Sequence, residues 1–192
     1  MKSFYQYITE LANPKKSLWI FDFDDTLAVD KATVDVLDKT TGKVIRQLSS
    51  EKFKSYKLKD GERFDFEGHS KKEMQADPIP ATLKIMRRVM GRGGRTVILT
   101  GRADGAGVKK YLEDIGIDIE VVAIGRKAKG SHEGIARAKR DWIAGEIDKG
   151  YNDIEVFDDN ALNIEYIKTL ADPGNVRVRT RLIKYSPRRE KK

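Results

Sequence analysis

Short apolar runs that alternate with amphipathic helical segments constrain the fold of this chain more than any other feature. Residues 17–21 are largely apolar and are followed by acidic residues, and residues 95–100 have the same apolar character. Strands buried on both faces of a parallel sheet show such runs, and helices connect them. The alternation therefore predicts an α/β fold with a doubly wound, Rossmann-like parallel sheet. The expected strands are 17–21, 95–100, 119–124, 154–157 and 176–183, and the expected helices are 78–90, 108–115, 133–149 and 161–170.

Residues 28–77 interrupt this alternation. Residues 33–37 and 44–48 alternate in part around a turn at 40–43, which predicts a β-hairpin, and residues 52–56 suit a short helix. The stretch 57–72 is polar and predicts irregular structure. We therefore expect one domain over residues 1–192, with a small insertion at 28–77 that follows the first strand.

Composition narrows the class of protein. The chain has 192 residues, of which 39% are hydrophobic, enough for one compact core. It has no cysteine, which excludes disulfides, zinc–thiolate sites and cysteine nucleophiles. No apolar run approaches the roughly 20 residues of a membrane span, and residues 1–13 lack the apolar centre of a signal peptide. We expect a soluble, cytoplasmic protein without a membrane partner.

Net charge adds an expectation about partners. The formal charge is +8, and residues 184–192 form a basic tail. A positive surface suits an anionic partner such as a phosphorylated small molecule, a nucleotide or nucleic acid, but it also serves solubility. The residues alone leave both explanations of the positive charge open. They do not specify the oligomeric state.

Polar residues follow three of the predicted strands. They are residues 22–26 after the first strand, 100–102 after the second and 158–160 after the fourth. In open parallel sheets, ligands bind beyond the carboxyl ends of the strands, near the point where the strand order reverses. We therefore expect these three segments to meet in one site.

The residue types in these segments suit metal-assisted phosphate chemistry. Clustered carboxylates repel one another unless a cation is present, and oxygen ligands suit a hard cation such as Mg²⁺. A carboxylate can attack phosphorus, and a second carboxylic acid can protonate the leaving oxygen and then activate water. A hydroxyl, a backbone amide and a lysine can stabilise the phosphoryl oxygens.

Residues 22–27, Asp-Phe-Asp-Asp-Thr-Leu, resemble the first motif of the haloacid dehalogenase (HAD) superfamily, Asp-x-Asp-x-Thr after a hydrophobic strand. This resemblance implies a magnesium-dependent phosphatase in which Asp22 is the nucleophile. It also implies that Asp24 is the general acid/base and gives its backbone carbonyl to the metal. Asp22 would be a metal ligand as well.

The later motifs extend the resemblance over residues 17–28 and 78–183. Residues 98–102 resemble the second motif, which implies that Thr100, Gly101 and Arg102 bind substrate. From the residues alone, Arg102 either contacts substrate or is a solvated loop residue. Residues 156–159 resemble the fourth motif, in which Asp158 and Asp159 would bind Mg²⁺.

The third motif is a single basic residue. Lys139 fits its Lys-x-x-x-Ile pattern before the fourth strand, and Lys127 and Lys129 are the alternatives because they follow the third strand. The insertion at 28–77 falls where the family places its first cap. Its small size is similar to phage-encoded and polynucleotide 3'-phosphatase-like members, and an open site would admit larger substrates.

Three other functions compete with hydrolysis of a phosphomonoester. A phosphotransferase or phosphomutase would use the same intermediate, and a non-catalytic nucleic-acid-binding module could keep the same fold. A phospho-receiver domain would need an aspartate after the third strand, where this chain has Ile124-Gly125-Arg126. The complete set of expected catalytic groups favours an enzyme.

Overall fold

The computed structural model describes residues 15–65, 74–128, 131–171 and 175–185. Within these ranges the strands are β1 (Ser17–Phe21), β2 (Ala28–Asp30), β3 (Val34–Asp38), β4 (Val44–Leu48), β5 (Glu62–Asp65), β6 (Ala76–Pro78), β7 (Arg95–Thr100), β8 (Glu120–Ala123), β9 (Asp153–Asp158) and β10 (Arg177–Leu182). The helices are α1 (Ser50–Ser55), α2 (Pro80–Met90), α3 (Ala106–Asp114), α4 (His132–Asp148) and α5 (Ala161–Lys168), with a 3-10 helix at Gly125–Ala128.

Five of these strands form a parallel sheet in the order β10-β9-β1-β7-β8. Strand β1 is central, and Ile20 pairs with Val97 of β7 on one side and with Val156 of β9 on the other. The chain runs outward from β1 to β8 and then returns across β1 to β9. The order of the strands therefore reverses beside β1, which makes its carboxyl end the expected place for a ligand.

Helices cover both faces of this sheet. Phe21 of β1 packs in a core that includes Met86 of α2 and Leu112 of α3. Ile20 points to the opposite face and packs in a second core with Ile143 of α4. Because the central strands are buried on both faces, they need apolar side chains at successive positions. The prediction of an α/β fold with a doubly wound parallel sheet is confirmed.

The chain between β1 and α2 forms two small antiparallel sheets. Strands β2 and β6 pair with each other, so that Ala28 lies opposite Pro78 and both ends of the segment meet at one place. We call this pair the stem. Beyond it, β4, β3 and β5 form a second sheet, which includes the predicted hairpin. Helix α1 corresponds to the predicted short helix.

Strand β5 lies in the stretch that the sequence predicts to be irregular. It pairs antiparallel with β3, and its Phe64 lies edge-on to Phe53 of α1 with ring centroids 4.9 Å apart. Glu62 of β5 accepts a hydrogen bond of 2.7 Å from the Tyr56 hydroxyl. These contacts stabilise a strand whose own sequence carries only one apolar side chain, which explains why the polar pattern concealed it.

The insertion also contacts the core through helix α1. The Phe53 ring lies 4.7 Å from the His132 ring, centroid to centroid, at the beginning of α4. His132 is therefore half-buried. None of the helices in the described ranges combines the length and the apolar character that a membrane crossing needs.

Candidate active site

The carboxyl ends of β1 and β9 bring three carboxylates together. The Asp22 amide donates a hydrogen bond of 2.9 Å to the Phe157 carbonyl, which extends the pairing of these strands to the site. Asp22, Asp158 and Asp159 each offer an oxygen, and these oxygens lie within 4.8 Å of one another. Asp22 and Asp158 are buried, and Asp159 is half-buried.

Helix α4 places Lys139 between two of these acids. Its Nζ lies 2.8 Å from Asp22 Oδ1 and 2.7 Å from Asp158 Oδ2, and all three side chains are buried. Burial alone would lower the pKa of Lys139, but the adjacent charges of Asp158 and Asp22 raise it above its ordinary value. The side chain is therefore an ammonium ion that offsets negative charge.

Of the three lysines that the sequence left open for this position, the structure brings Lys139 to the acids. Lys127 is exposed on the 3-10 helix after β8, and Lys129 lies outside the described residues. Asp22 and Lys139 are 117 positions apart in the sequence, and the fold brings them together because α4 packs through Ile143 against the face of the sheet that holds Ile20.

The acids still carry more negative charge than Lys139 neutralises. Burial raises the pKa of Asp22 well above its ordinary value, Lys139 lowers it, and the charges of Asp158, Asp159 and Asp24 raise it further. With all three carboxylates ionised, the one ammonium leaves two negative charges, and their repulsion contributes to the raised pKa of Asp22. A divalent cation would balance them, and an all-oxygen donor set fits Mg²⁺.

Asn163 orients one of the candidate metal ligands. It lies in the first turn of α5, and its Nδ2 donates to Asp158 Oδ1 and Oδ2 over 3.0 and 3.1 Å. The Asn160 amide donates a further hydrogen bond of 2.8 Å to Asp158 Oδ1. Such partners fix the direction of a ligating carboxylate. Among the described residues, the buried Asn163 Oδ1 has no hydrogen-bond partner, which leaves an acceptor beside the site.

Thr100 reaches the same edge of the sheet at the end of β7. The side chain is fully buried, and its Oγ accepts a hydrogen bond of 3.2 Å from the Arg102 amide. This hydrogen bond does not use the hydroxyl proton. Gly101 follows in the same turn, so a backbone amide and a hydroxyl are adjacent.

Arg102 is buried and faces Asp24, so it is not a solvated loop residue. Its Nη2 lies 2.6 Å from Asp24 Oδ1 and its Nε lies 3.0 Å from Asp24 Oδ2. The guanidinium also lies over the Phe23 ring, 5.6 Å from its centroid. Burial alone would lower the pKa of Arg102, but Asp24 and Asp30 raise it above its ordinary value.

Asp30 is the site residue that the sequence did not indicate. It belongs to β2, it is buried, and it accepts a hydrogen bond from Arg102 Nη2. It lies outside every motif of the sequence analysis, in a segment expected to be an insertion. Only its proximity to the first motif gave any signal.

Neither the protein-family models nor the curated proteins include a match to this chain. The chemistry of the site therefore rests on its own side chains. They form a cluster of three carboxylates, two of which contact Lys139, beside a fourth acid, Asp24, that is held by Arg102.

Proposed function

We propose that this protein is a magnesium-dependent phosphomonoester hydrolase of the HAD type, with Asp22 as the nucleophile. One observation carries the proposal. Asp22 lies at the strand-order reversal with Lys139 2.8 Å away, and Asp158 and Asp159 stand beside it. A structural ion pair would not need a third acid, Asp159, beside the two that contact Lys139 at the edge where ligands bind.

The first chemical step forms an aspartyl-phosphate. An Asp22 carboxylate oxygen attacks the phosphorus in line, and the bond between phosphorus and the ester oxygen breaks. Asp24, in its acid form, gives its proton to the departing alcohol oxygen. Lys139 and the Thr100 hydroxyl stabilise the charge that develops on the phosphoryl oxygens.

The second step returns the enzyme to its starting state. Asp24, now a carboxylate, takes a proton from water, and the water oxygen attacks the phosphorus. The bond between phosphorus and Asp22 breaks, inorganic phosphate leaves, and Asp22 is again a carboxylate. Mg²⁺ held by Asp22, Asp158, Asp159 and the Asp24 carbonyl would supply positive charge to the phosphoryl group.

Charge near the site favours a nucleotide or a nucleic-acid end as substrate. The 3-10 helix lies close to the Thr100–Arg102 turn. Only glycine at position 125 allows this approach, since a β-carbon there would lie 2.3 Å from the Gly101 carbonyl. The next two residues, Arg126 and Lys127, are exposed cations. With a net charge of +8, they suit a substrate that carries more than one phosphate.

Two alternatives use the same fold. A phosphotransferase or phosphomutase would pass the phosphoryl group from Asp22 to an acceptor other than water. A non-catalytic nucleic-acid-binding module would not need the Asp24–Arg102 pair or the Lys139 bridge, so these two arrangements favour an enzyme.

The test is release of inorganic phosphate in Mg²⁺ and in EDTA. The substrates are p-nitrophenyl phosphate, nucleotides, sugar phosphates and oligonucleotides phosphorylated at the 3' or the 5' end. We expect release that needs Mg²⁺ and disappears in Asp22→Asn. Asp25→Asn is the matched control, because Asp25 has φ 56° and asparagine tolerates that conformation. Undiminished release by Asp22→Asn would falsify the nucleophile assignment.

A further inference from the structure

Three charged side chains in series link the insertion to the proposed general acid/base. The series runs from Asp30 in the stem, through Arg102 after β7, to Asp24 after β1. The side chains of Asp30 and Arg102 are 2% and 5% exposed, whereas that of Asp24 is 30% exposed. Of these three side chains, Asp24 is thus the one that a substrate can reach.

The geometry at Asp24 is bidentate. Two guanidinium nitrogens, Nε and Nη2, donate to the two carboxylate oxygens, which fixes the plane of the carboxyl group relative to that of the guanidinium. The direction of the Asp24 carboxyl therefore depends on the orientation of Arg102. Any group that fixes the Arg102 plane also fixes Asp24.

Asp30 fixes that plane from the other side. Its Oδ2 accepts from Arg102 Nη2, and its Oδ1 accepts a hydrogen bond of 2.9 Å from the Ala32 amide. The backbone of Asp30 pairs with Ala76 in the stem. Both the side chain and the backbone of Asp30 are therefore held in place.

We propose that Asp30 is a positioning residue, which holds Arg102 so that Arg102 aims Asp24 at the leaving-group oxygen. The proposal rests on the function proposed above. It assigns part of the acid/base machinery to the stem of the insertion rather than to the core. Asp30 touches neither substrate nor metal in this arrangement.

The proposal predicts a selective defect. Poor positioning of Asp24 slows transfer of a proton to the leaving oxygen, and this matters most when the departing group is a strong base. A phosphate ester of an acidic phenol needs little help from an acid. A residue that only stabilises the fold would slow both kinds of ester equally.

The experiment uses the full chain and a series of substituted phenyl phosphates, whose phenols differ in acidity but hardly in size. The measured quantity is kcat/KM, which reports steps up to loss of the phenol. For Asp30→Asn we expect a fall of about 10-fold or more with phenyl phosphate and less than about 3-fold with p-nitrophenyl phosphate. Arg102→Lys keeps the positive charge but loses the pair of guanidinium hydrogen bonds to Asp24. We expect the same difference between the two esters for this variant.

Asp77→Asn is the matched control. Asp77 lies in the other strand of the stem, is 63% exposed and pairs with Lys31. It should leave both rates unchanged. Thermal melting and Mg²⁺ titration identify variants that do not fold, and if Asp30→Asn is one of them, Arg102→Lys carries the test.

Each outcome has one meaning. An equal loss on all esters, or no loss, in a folded Asp30→Asn variant overturns the positioning role. A wild-type protein that releases no phosphate from any ester instead overturns the proposed function. The two failures are therefore distinguishable.

Discussion

Phe21 and Phe157 stack face to face, with ring centroids 4.4 Å apart and 4° between the ring planes. Each ring immediately precedes an acid of the site, Asp22 in one case and Asp158 in the other. The stack therefore sets the relative position of two candidate metal ligands from neighbouring strands. Packing in the core and geometry at the sheet edge are coupled at this pair.

Phe157→Leu should weaken both packing and metal binding. We expect a loss of about 1–2 kcal/mol in the free energy of unfolding, since part of the ring volume is left empty. We also expect weaker binding of Mg²⁺, because the two acids lose their common support. Denaturant unfolding and Mg²⁺ titration measure these effects. Phe64→Leu in the insertion should lower stability but leave the affinity for Mg²⁺ unchanged.

Lys139→Ala should slow turnover of p-nitrophenyl phosphate by about 100-fold or more, because a charge that stabilises the transition state is lost. Lys127→Ala is the matched control, and it should leave this rate unchanged because Lys127 is exposed on the 3-10 helix. Steady-state kinetics at saturating Mg²⁺ measure the turnover of both variants. If Lys127→Ala shows the large loss and Lys139→Ala does not, the assignment of the third motif is wrong.

Mg²⁺ should stabilise the folded protein. At a Mg²⁺ concentration 100 times its dissociation constant, we expect a gain of about 2.7 kcal/mol in the free energy of unfolding, which EDTA removes. Asp158→Asn should abolish the gain, whereas Asp25→Asn should keep it. Thermal melting with and without Mg²⁺ measures the effect, and an equal gain in wild type and Asp158→Asn would contradict the metal assignment.

Asp153 lies at the opposite end of β9, and its ion pairs make the stability of the fold depend on pH. Burial would raise its pKa, but the hydrogen bond from Arg177 and the charges of Arg179, Arg177 and Lys15 lower it below the ordinary value. A lowered pKa stabilises the fold fully above the unfolded-state value of about 3.9, and this contribution is lost as the pH falls through the folded-state pKa.

Asp153→Asn should therefore cost about 1–2 kcal/mol in the free energy of unfolding at pH 7 and progressively less below about pH 4. Urea unfolding at a series of pH values measures the difference between variant and wild type. Asp148→Asn, at the exposed end of α4, is the control and should show a small difference throughout. A cost that is independent of pH would contradict the charge-based explanation.

Reversal of two exposed charges should weaken the binding of large substrates without affecting small ones. We expect Arg126→Glu combined with Lys127→Glu to raise KM for phosphorylated oligonucleotides and to reduce the salt dependence of their binding by about two ion equivalents. Turnover of p-nitrophenyl phosphate should not change. Arg88→Glu combined with Arg92→Glu, at the far end of α2, makes the same change in net charge and should alter neither quantity.

The sequence was most informative where local pattern and burial coincide. Continuous apolar runs predicted the parallel strands, since a strand buried on both faces needs apolar residues throughout. The helix over residues 80–90 was indicated by Ile79, Leu83, Met86 and Val89, all of which are buried. The Lys-x-x-x-Ile pattern favoured Lys139 but left Lys127 and Lys129 open, and the structure places Ile143 in the core and Lys139 beside the acids.

Contacts between distant parts of the chain could not be predicted in this way. Arg102 contacts Asp24 and Asp30, which precede it by 78 and 72 residues, and no periodicity encodes such pairing. Strand β5 pairs with the edge of β3 that β4 does not occupy. The stem consists of two strands of three residues each that lie far apart in the sequence. These features depend on the path of the insertion and not on local residue preferences.

The stem brings the two ends of the insertion together beside the sheet. Since Ala28 lies opposite Pro78, residues 31–75 begin and end at neighbouring points in space. We expect the sheet to tolerate segments of other lengths there, because the closing distance stays the same, at the cost of the contact between Phe53 and His132. Laboratory recombination at these two points offers a way to reshape what enters the site while Asp30 continues to support Arg102.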